Sequence, residues 1–505
     1  MASGNGCAVI GAGISGLVTA KVLSEDGFDT VVFEKEPTLG GVWAPLRTYP
    51  GLRTNNPRDT YVFSDHPHSR ATDAFPTAAQ MCAYLNSYAD RFGISPRLRT
   101  GTEVVRVESA RKDDGTITGW RVTVRSADEP ARVENFDFVV VCNGVFCEPR
   151  MPALDGANRF AGRILHSSQC TDLELVRGKR VIVVGGSKSA ADCATWAARE
   201  GQSCMLVFRQ PYWMFPRYLF GAINMQWLMF SRFAQSLLKY YRMSRVEAFL
   251  HGPLRPVVRL GWWAFGMLLR CQLRIPRRLL PEAPLPRTIE SSGIGADVYR
   301  LIRQGCIQTR NTALRRFLGG NAVEAESGET LEAELVIFAT GYRQTVPFLE
   351  EDVRRQIERE QGFHLYRLIL PPAVPNLGFV GYNSSTACSL TSEIAAHWLS
   401  QCFLGELSLP SLQDMEEDIA RFRRWATETM PSRSGGFFLG PHVIHHVDDL
   451  MRDMRLPPFR AHNFVAEHLL PVWPSRYRTV GEERRRARTA PPVATTSLRR
   501  KGVSA

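Results

Sequence analysis

The hydrophobic pattern near the N-terminus predicts a buried strand, a tight turn and a helix in direct succession. In CAVIGAGISGLVTAKVL, residues 7–23, an apolar run ends at a glycine-rich turn, and the apolar positions beyond the turn recur with helical spacing. A second apolar run, DTVVFEK at 29–35, follows at once. Short continuous apolar runs are typical of strands covered on both faces of a parallel sheet. The pattern therefore predicts a strand, a helix and a second parallel strand.

The turn of this unit has the spacing GxGxxG at Gly11, Gly13 and Gly16. The first glycine allows the tight turn, the second lets the backbone approach a pyrophosphate, and the third lets the helix pack on the strand. Glu34 ends the second strand, 23 residues after Gly11. A carboxylate at this place accepts hydrogen bonds from a ribose 2′-hydroxyl and repels a 2′-phosphate. The first turn therefore predicts a site for an unphosphorylated adenosine ribose, as in FAD or NAD.

The same hydrophobic pattern returns after residue 180, with a different charge at its end. The run VIVV at 181–184 enters the turn GGSKSA, and the next apolar run, SCMLVF at 203–208, is followed by an arginine 24 residues after the first glycine of the turn. A guanidinium pairs bidentately with a phosphate, so this turn predicts NADP(H). The alternative is that its cations are solvated charges at a helix edge. The expected contacts are Gly185, Ser187, Lys188, Ser189 and Arg209.

Two further apolar runs connect these units. FDFVVVCNG at 136–144 and AELVIFATGY at 333–342 each end in a small-residue turn, as suits a chain that leaves one nucleotide-binding unit and later returns. The expected fold class is α/β, with two nested dinucleotide-binding (Rossmann-like) domains and the NADP(H) domain inserted in the FAD domain. The predicted divisions are an FAD-binding domain at 1–168 and 333–474, an NADP(H)-binding domain at 169–332 with an insertion at about 218–285, and a disordered basic tail at 475–505.

Composition narrows the class of protein. The 505 residues, 44% apolar and 22% charged, are ordinary for two or three packed globular units. The eleven cysteines include no CxxC pair and no histidine at ligand spacing, so we expect reduced thiols and no metal site. No signal peptide is readable before the first strand, and we expect a cytoplasmic protein.

The net charge of +12 is concentrated in two segments, 218–280 and 475–505. No nucleic-acid motif accompanies either segment, so no specific nucleic-acid partner is expected. The first segment is rich in aromatic residues but has no uninterrupted 18-residue apolar span, which argues against a transmembrane anchor. Three interpretations stay open for it: packing on the NADP(H) domain, a cap over a substrate entrance, or weak contact with a membrane surface.

Several motifs together resemble those of the flavin-containing monooxygenases. They are GAGISG at 11–16, GGVW at 40–43, FAGRILH at 160–166 in the form FxGxxxH, the second nucleotide turn, and FATGY at 338–342. The resemblance implies bound FAD, NADPH as hydride donor, O2 as cosubstrate and a small organic substrate. Cys170 departs from the aromatic residue that ends the FxGxxxH signature, and the tryptophan form of that signature goes with the main Baeyer–Villiger group. Cys142-Asn143-Gly144 departs from the family's usual Ala-Thr-Gly.

The resemblance also assigns site residues. Gly41 is expected to pass close to the flavin, with Trp43 either as an apolar cover or as a core residue. Asn55 matches the family's asparagine at the flavin edge, where an uncharged amide donates a hydrogen bond, and an Asx turn before Pro57 is the alternative. Further expected cofactor neighbours are Thr340, Gly341 and Asn383. The implied reaction inserts one oxygen atom through a C4a-(hydro)peroxyflavin, in N- or S-oxygenation first and Baeyer–Villiger oxygenation second.

Two other classes of function compete with this interpretation. A disulfide reductase would need a redox cysteine pair, and Cys142 and Cys147 have one such spacing, although Asn143-Gly144 between them disfavours a helix. A noncatalytic sensor or scaffold would bind the nucleotides without turnover. A flavin spectrum and an NADPH oxidation assay separate these classes.

Overall fold

Two parallel sheets organise the chain in the computed structural model, which describes residues 4–127, 129–287, 289, 293–295, 297–359, 362–429 and 439–489. The helices are α1 Ile14–Glu25, α2 Ala78–Arg91, α3 Lys188–Glu200, α4 Met225–Met229, α5 Arg232–Ser236, α6 Arg245–His251, α7 Arg255–Leu273, α8 Asp297–Arg303, α9 Glu351–Ile357, α10 Cys388–Phe403, α11 Leu412–Thr429, α12 Val443–Asp453, α13 Phe464–His468 and α14 Val480–Thr489.

The strands are β1 Gly6–Ile10, β2 Asp29–Phe33, β3 Leu98–Arg99, β4 Thr102–Arg111, β5 Ile117–Ser126, β6 Arg132–Phe136, β7 Phe138–Val141, β8 Glu148–Pro149, β9 Arg163–His166, β10 Arg180–Val184, β11 Ser203–Phe208, β12 Met214–Phe215, β13 Tyr218–Leu219, β14 Ile223–Asn224, β15 Gly293–Ile294, β16 Ile307–Asn311, β17 Leu314–Gly319, β18 Ala322–Ala325, β19 Thr330–Glu332, β20 Leu335–Phe338, β21 Tyr342–Arg343, β22 Glu358–Arg359, β23 Gly362–Phe363 and β24 Leu377–Phe379.

The first sheet joins distant parts of the chain. Its strand order is β24, β7, β1, β2, β3, and its strands run parallel, with Ile10 of β1 opposite both Phe33 of β2 and Val141 of β7. The strand β24 comes from the second half of the sequence. Helices α1, α10 and α12 share one core on one face of this sheet, and the antiparallel strands β4, β5 and β6 contribute to a second core on the other face. Burial on both faces explains the unbroken apolar runs.

The second sheet lies wholly between the strands of the first in sequence. Its order is β16, β11, β10, β20, β9, again parallel. The expected nested α/β fold is therefore confirmed. The second sheet includes β9 at Arg163–His166 and β20 at Leu335–Phe338, so it extends beyond the predicted boundaries of 169 and 332 on both sides. The two apolar runs that the sequence placed at the crossings belong to different sheets: β7 to the first and β20 to the second.

The insertion at 218–285 connects the two halves of the molecule. Trp262 and Leu269 of α7 are buried in the core of the second sheet. Arg232 of α5 forms buried ion pairs with Asp448 and, at 2.5 Å, with Glu467, both in the C-terminal part of the chain. The insertion thus packs on the NADP(H) domain, as one of the three interpretations expected, and Arg232 also ties it to the FAD-binding domain.

The prediction of a disordered tail from residue 475 is wrong for its first part. Helix α14 packs on the first domain, and the Arg484 side chain is fully buried, 2.5 Å from an Asp26 carboxylate oxygen and 2.7 Å from Nδ1 of His397. A low apolar content does not prevent packing when a buried partner offsets the charge. Residues 490–505 lie outside the described residues. No helix in the described ranges has the length and hydropathy needed to cross a membrane.

Candidate active site

The first glycine turn has no room for side chains at two of its positions. Gly11 has φ of +106°, and a Cβ there would lie 2.6 Å from the carbonyl oxygen of Cys142. A Cβ at Gly16 would lie 1.8 Å from the carbonyl oxygen of Gly11. These contacts give the two glycines the roles expected from the sequence, namely a tight turn and close packing of α1 against β1.

A second glycine pair faces this turn. Gly41 has φ of +58°, and a Cβ on it would lie 3.1 Å from the Cα of Gly13. The amide of Gly40 donates to the carbonyl of Ala12 over 2.9 Å, which fixes the two loops side by side. Two backbones without side chains meet beside the N-terminus of α1, and this is the arrangement that a pyrophosphate needs for close approach.

The Glu34 carboxylate lies at the end of β2, where the sequence placed it. It is buried, and its two oxygens accept hydrogen bonds from the Ala12 amide at 2.8 Å and the Glu36 amide at 3.0 Å. An ionised carboxylate has about four acceptor positions, so the ones that remain can accept ribose hydroxyls. Glycines and carboxylate together fit the adenosine and pyrophosphate part of FAD.

The second turn borders a cavity of about 670 Å³. Gly185 has φ of +145°, and a Cβ there would lie 2.4 Å from the carbonyl oxygen of Ala339, so this glycine serves the turn as Gly11 does in the first domain. Ser187 is exposed and precedes the first residue of α3, but its hydroxyl makes no capping bond. The hydroxyl is therefore available to a ligand at the helix N-terminus. The predicted residues that line the cavity are Gly185, Ser187, Ser189, Arg209, Thr340 and Gly341.

Arg209 and Lys188, the two predicted phosphate contacts, are placed differently. Arg209 is exposed in the cavity, and within the described ranges no carboxylate pairs with its guanidinium. Lys188 does not line the cavity, because its ammonium lies 2.5 Å from Asp192 in an ion pair one turn along α3. The prediction for Lys188 is therefore revised: its charge is already compensated. The spacing of lysine and aspartate four residues apart on a helix was a readable signal for this pair.

The Asp192 carboxylate also joins the two domains, a role that sequence reasoning missed. The Tyr49 hydroxyl, in the loop before Asn55, donates to Asp192 over 2.7 Å. Burial raises the pKa of Tyr49 well above its usual value, so the hydroxyl keeps its proton and remains a donor. The loop of the first domain that carries Asn55 is thereby held against α3, the helix that follows the second nucleotide turn. No sequence motif identified Tyr49.

The two crossings between the domains run side by side. Strands β8 and β21 pair antiparallel, and the Arg150 amide donates to the carbonyl of Gly341 over 2.9 Å. His166 has its Nε2 atom 3.0 Å from the same carbonyl, and burial lowers its pKa, which favours a neutral ring that donates from Nε2. The Thr340 hydroxyl donates to the carbonyl of Arg150. His166 and Thr340 thus have structural partners at the hinge between the domains.

The remaining predicted residues differ in exposure. Trp43 is buried in the first core, with its ring 5.8 Å from that of Tyr61, so its role as a flavin cover stays a prediction. Asn55 is exposed, whereas the neighbouring Asn56 is fully buried and its side-chain amide has no hydrogen-bond partner among the described residues. Asn383 is buried, and its side-chain oxygen accepts from Thr391 at 3.3 Å.

The thiols give no sign of a redox pair. Cys142 and Cys147 are both free, and burial raises the pKa of Cys142 to about 12. The Cys147 thiol lies 2.8 Å from the carbonyl of Gly144. Among the described residues, no group of three or more His, Cys, Asp or Glu side chains is placed to hold a metal ion.

Comparison with known proteins settles the family. A family model described as flavin-binding monooxygenase-like matches residues 4–273 and 282–454. The chain belongs to this family. It is accordingly an NADPH-dependent flavin monooxygenase, an oxidoreductase whose cofactors are FAD and NADPH. The glycine cradle with Glu34, and the separate cavity with Arg209, are the parts of this flavin monooxygenase that fit the two nucleotides.

Relatives and solved structures span nearly the whole flavin monooxygenase. A probable flavin-containing monooxygenase 1 of Arabidopsis thaliana is 30% identical, over 96% of this chain and 98% of the relative. A 4-hydroxybenzoate brominase (decarboxylating) of Marinomonas mediterranea is 27% identical, over 88% and 83%. The S-allyl-L-cysteine S-oxygenase of Allium sativum superimposes with a TM-score of 0.61 at 22% identity, over 96% and 94% of the two chains. Cyclohexanone monooxygenase from Rhodococcus sp. Phi1 bound to NADP+ gives 0.66 at 19%, over 89% and 97%.

Proposed function

We propose that this flavin monooxygenase transfers one oxygen atom to a nitrogen or sulfur atom of a small organic substrate, with NADPH as the reductant. The observation that supports this choice is the residue at the end of the FxGxxxH signature. Cys170 is fully buried, with its thiol 3.7 Å from the carbonyl of His166, and it belongs to the core of the second sheet. A small core residue stands where the main Baeyer–Villiger group has a tryptophan ring.

The chain's own residues divide the work between two nucleotide sites. The first turn would hold the flavin nucleotide in a buried cradle, with Glu34 as the acceptor for its ribose, and the open second turn would admit NADPH, with Arg209 as the partner of its 2′-phosphate. FAD held there would supply the redox chemistry, namely hydride acceptance from NADPH and reaction with O2. The protein must keep water from the reacting atoms and provide donors that carry no charge.

Asn55 is the proposed catalytic donor. It lies six residues after Tyr49, on the loop that the Tyr49–Asp192 hydrogen bond ties to α3. Its amide is free to donate, because it is exposed and an amide carries no charge to repel an anionic oxygen. Asn56 is the second candidate, since a fully buried amide without a partner costs free energy unless a ligand satisfies it.

A substrate panel tests the proposed reaction. The purified holoenzyme is assayed for NADPH oxidation and oxygenated product with a tertiary amine, a thioether and a cyclic ketone, and with 4-hydroxybenzoate plus bromide. Product from the amine or thioether, with much less from the ketone, is the expected result. Lactone formation as the main product would replace the proposal with Baeyer–Villiger oxygenation, and brominated product would assign the reaction named for the brominase relatives. Flavin binding without NADPH turnover on any substrate would favour the sensor or scaffold.

A further inference from the structure

Large apolar side chains are exposed on one set of helices, α4–α7 and α13, which we call the helical layer. Every helix of the layer contributes to this surface. Six representative residues are Leu228, Phe233, Phe249, Leu260, Trp263 and Phe464, with exposed fractions between 48% and 71%. Single exposed apolar residues are common on protein surfaces, but a contiguous group of them marks a surface that binds a membrane or another protein.

The helical layer is contiguous because α5 connects its parts. At one end of α5, Ser231 forms a β-bridge with Pro471, just beyond α13. At the other end, the indole nitrogen of Trp262 in α7 donates to the carbonyl of Leu237 over 3.0 Å. Nε2 of His251, the last residue of α6, lies 3.0 Å from the carbonyl of Ser236. Helix α5 thus joins α6, α7 and the segment after α13 into one group of neighbouring helices, and each of these helices carries exposed apolar side chains.

Helix α7 shows the unusual character of this surface most clearly. Trp262 and Leu269 are buried against the second domain, as on any amphipathic helix. The opposite side carries Leu260 and Trp263, each 62% exposed, where a helix in water would carry polar residues. Both sides of α7 are thus apolar, although only one of them has a protein partner.

The charges beside this apolar surface have one sign. Arg255 and Arg259 are exposed one turn apart on α7, a helix without an acidic residue. The surrounding segment 218–280 holds ten arginines and lysines and a single acid, Glu247, which lies 2.5 Å from His445. Arginine side chains extend from an apolar surface to reach phosphates at its border. An apolar stripe flanked by arginines is the pattern of a helix that lies in the interface of a bilayer.

We propose that the helical layer rests on a membrane that contains anionic lipids, with Leu260 and Trp263 inserted at the boundary between headgroups and acyl chains and the arginines on lipid phosphates. A second copy of the chain fits this surface less well, because a self-complementary contact would bring the arginines of two copies together. A nucleic acid would satisfy the arginines but leave the apolar side chains in water. The proposal concerns a surface outside both nucleotide sites and does not depend on the substrate of the enzyme.

Vesicle flotation of the FAD-loaded protein tests the proposal. Vesicles of neutral phosphatidylcholine are compared with vesicles that also contain phosphatidylserine. We expect stronger binding to the anionic vesicles, and weaker binding when the salt concentration is raised. Each surface arginine contributes about fivefold to binding of anionic lipid, so Arg255→Gln/Arg259→Gln should lower the partition coefficient about 25-fold on anionic vesicles and little on neutral ones.

Apolar variants separate insertion from simple charge attraction. Leu260→Ser/Trp263→Ser should lower partitioning onto both kinds of vesicle at least about tenfold, because two apolar side chains no longer leave water. Leu412→Ser is the matched control, since Leu412 is 57% exposed at the start of α11, outside the layer. Brominated lipids should quench tryptophan fluorescence of the wild type, and Trp263→Phe should lose much of this quenching while still binding.

Two results would overturn the proposal. The first is that the wild-type protein stays unbound with anionic vesicles at low salt. The second is that Leu260→Ser/Trp263→Ser floats as well as Leu412→Ser. Sedimentation velocity identifies the alternative: a dimer that dissociates in the Leu260→Ser/Trp263→Ser variant, without vesicle binding, would assign the surface to contact between copies. Flavin content and NADPH oxidation of each variant confirm that it is folded.

Discussion

The two nucleotide turns have the same layout and opposite surroundings. Both begin with a positive-φ glycine that meets a carbonyl from the neighbouring strand end, Cys142 for Gly11 and Ala339 for Gly185. The strand that follows the first turn is succeeded by a buried carboxylate, Glu34. The strand that follows the second turn is succeeded by an exposed guanidinium, Arg209. The first faces a glycine pair at close range, and the second faces an open cavity of about 670 Å³.

The burial of the first site and the openness of the second are what we expect for a cofactor that stays bound and for one that exchanges, respectively. Glu34 can be buried because the backbone amides of Ala12 and Glu36 donate hydrogen bonds to its carboxylate, and we expect a ribose to donate the remaining ones. A guanidinium without a protein partner stays in water until a phosphate arrives. We therefore expect the first turn to bind its nucleotide tightly and the second turn to discriminate between NADPH and NADH.

The largest expected effect is at Gly13. A Cβ there makes only an ordinary contact with Gly41, 3.6 Å away, so Gly13→Val should fold, but its side chain occupies the space of the pyrophosphate. We expect flavin affinity to fall more than about a hundredfold, a loss of roughly 3 kcal/mol or more. Flavin absorbance after desalting measures it. Gly261→Ala, in the open on α7, is the control, and a yellow Gly13→Val protein would remove the first turn from the flavin site.

Arg209→Ala should lower the preference for NADPH over NADH about ten- to a hundredfold, because a charge-assisted contact is worth roughly 1.5–3 kcal/mol. The ratio of kcat/KM for the two nucleotides is the measurement. Lys188→Met is the informative partner variant: since Asp192 already holds this ammonium, its effect on the ratio should be less than about threefold. Equal effects of the two substitutions would mean that the ion pair opens when NADPH binds.

Asn55→Asp tests the proposed catalytic donor. A carboxylate repels the negative charge that develops on oxygen and donates no hydrogen bond, so product formed per NADPH should fall about tenfold. Flavin reduction under anaerobic conditions should keep its rate, and hydrogen peroxide should account for the missing product. Asn86→Asp, exposed on α2, controls for the added charge. Unchanged product yield would leave Asn55 with a role in the turn alone and make Asn56 the next residue to test.

The last expected effect is on stability and not on cofactor use, and it lies beneath the first turn, where α10 packs on α1. Burial, with Asp65 nearby, raises the pKa of Glu393 to about 7, and its carboxyl accepts from the amide of Ser64 over 2.9 Å. The native state thus holds this proton more tightly than the unfolded chain, whose glutamates titrate near 4.3. The free energy of unfolding should fall as pH rises from about 5 to 7, by on the order of 1 kcal/mol per unit, and then level off.

Urea unfolding of the holoenzyme across this pH range measures the slope. Glu393→Gln should flatten it, because an amide does not titrate, whereas Glu326→Gln on the exposed surface should not. If the slope persists in Glu393→Gln, then Glu393 does not carry the pH dependence.

Local sequence patterns determined the nested α/β fold, the two turns and the sign of the charge at each strand end. This was possible because strands and helices each require a characteristic spacing of apolar residues, and a tight turn requires glycine, all within a few consecutive residues. The carboxylate at Glu34 and the glycines at Gly11, Gly13 and Gly16 could be read in this way. The family's order of motifs added FAD and NADPH.

Only the tertiary structure decided what depends on distant partners. Asp192 forms an ion pair with Lys188, which the sequence had predicted as a phosphate contact. Tyr49 binds the loop of Asn55 to the second domain. Asp26 pairs with the buried Arg484, in a segment whose composition predicted disorder. In each case a charge or hydroxyl is compensated across the fold. The sequence states which groups are charged, but the free energy of each depends on burial and on the partner that folding brings within hydrogen-bond distance.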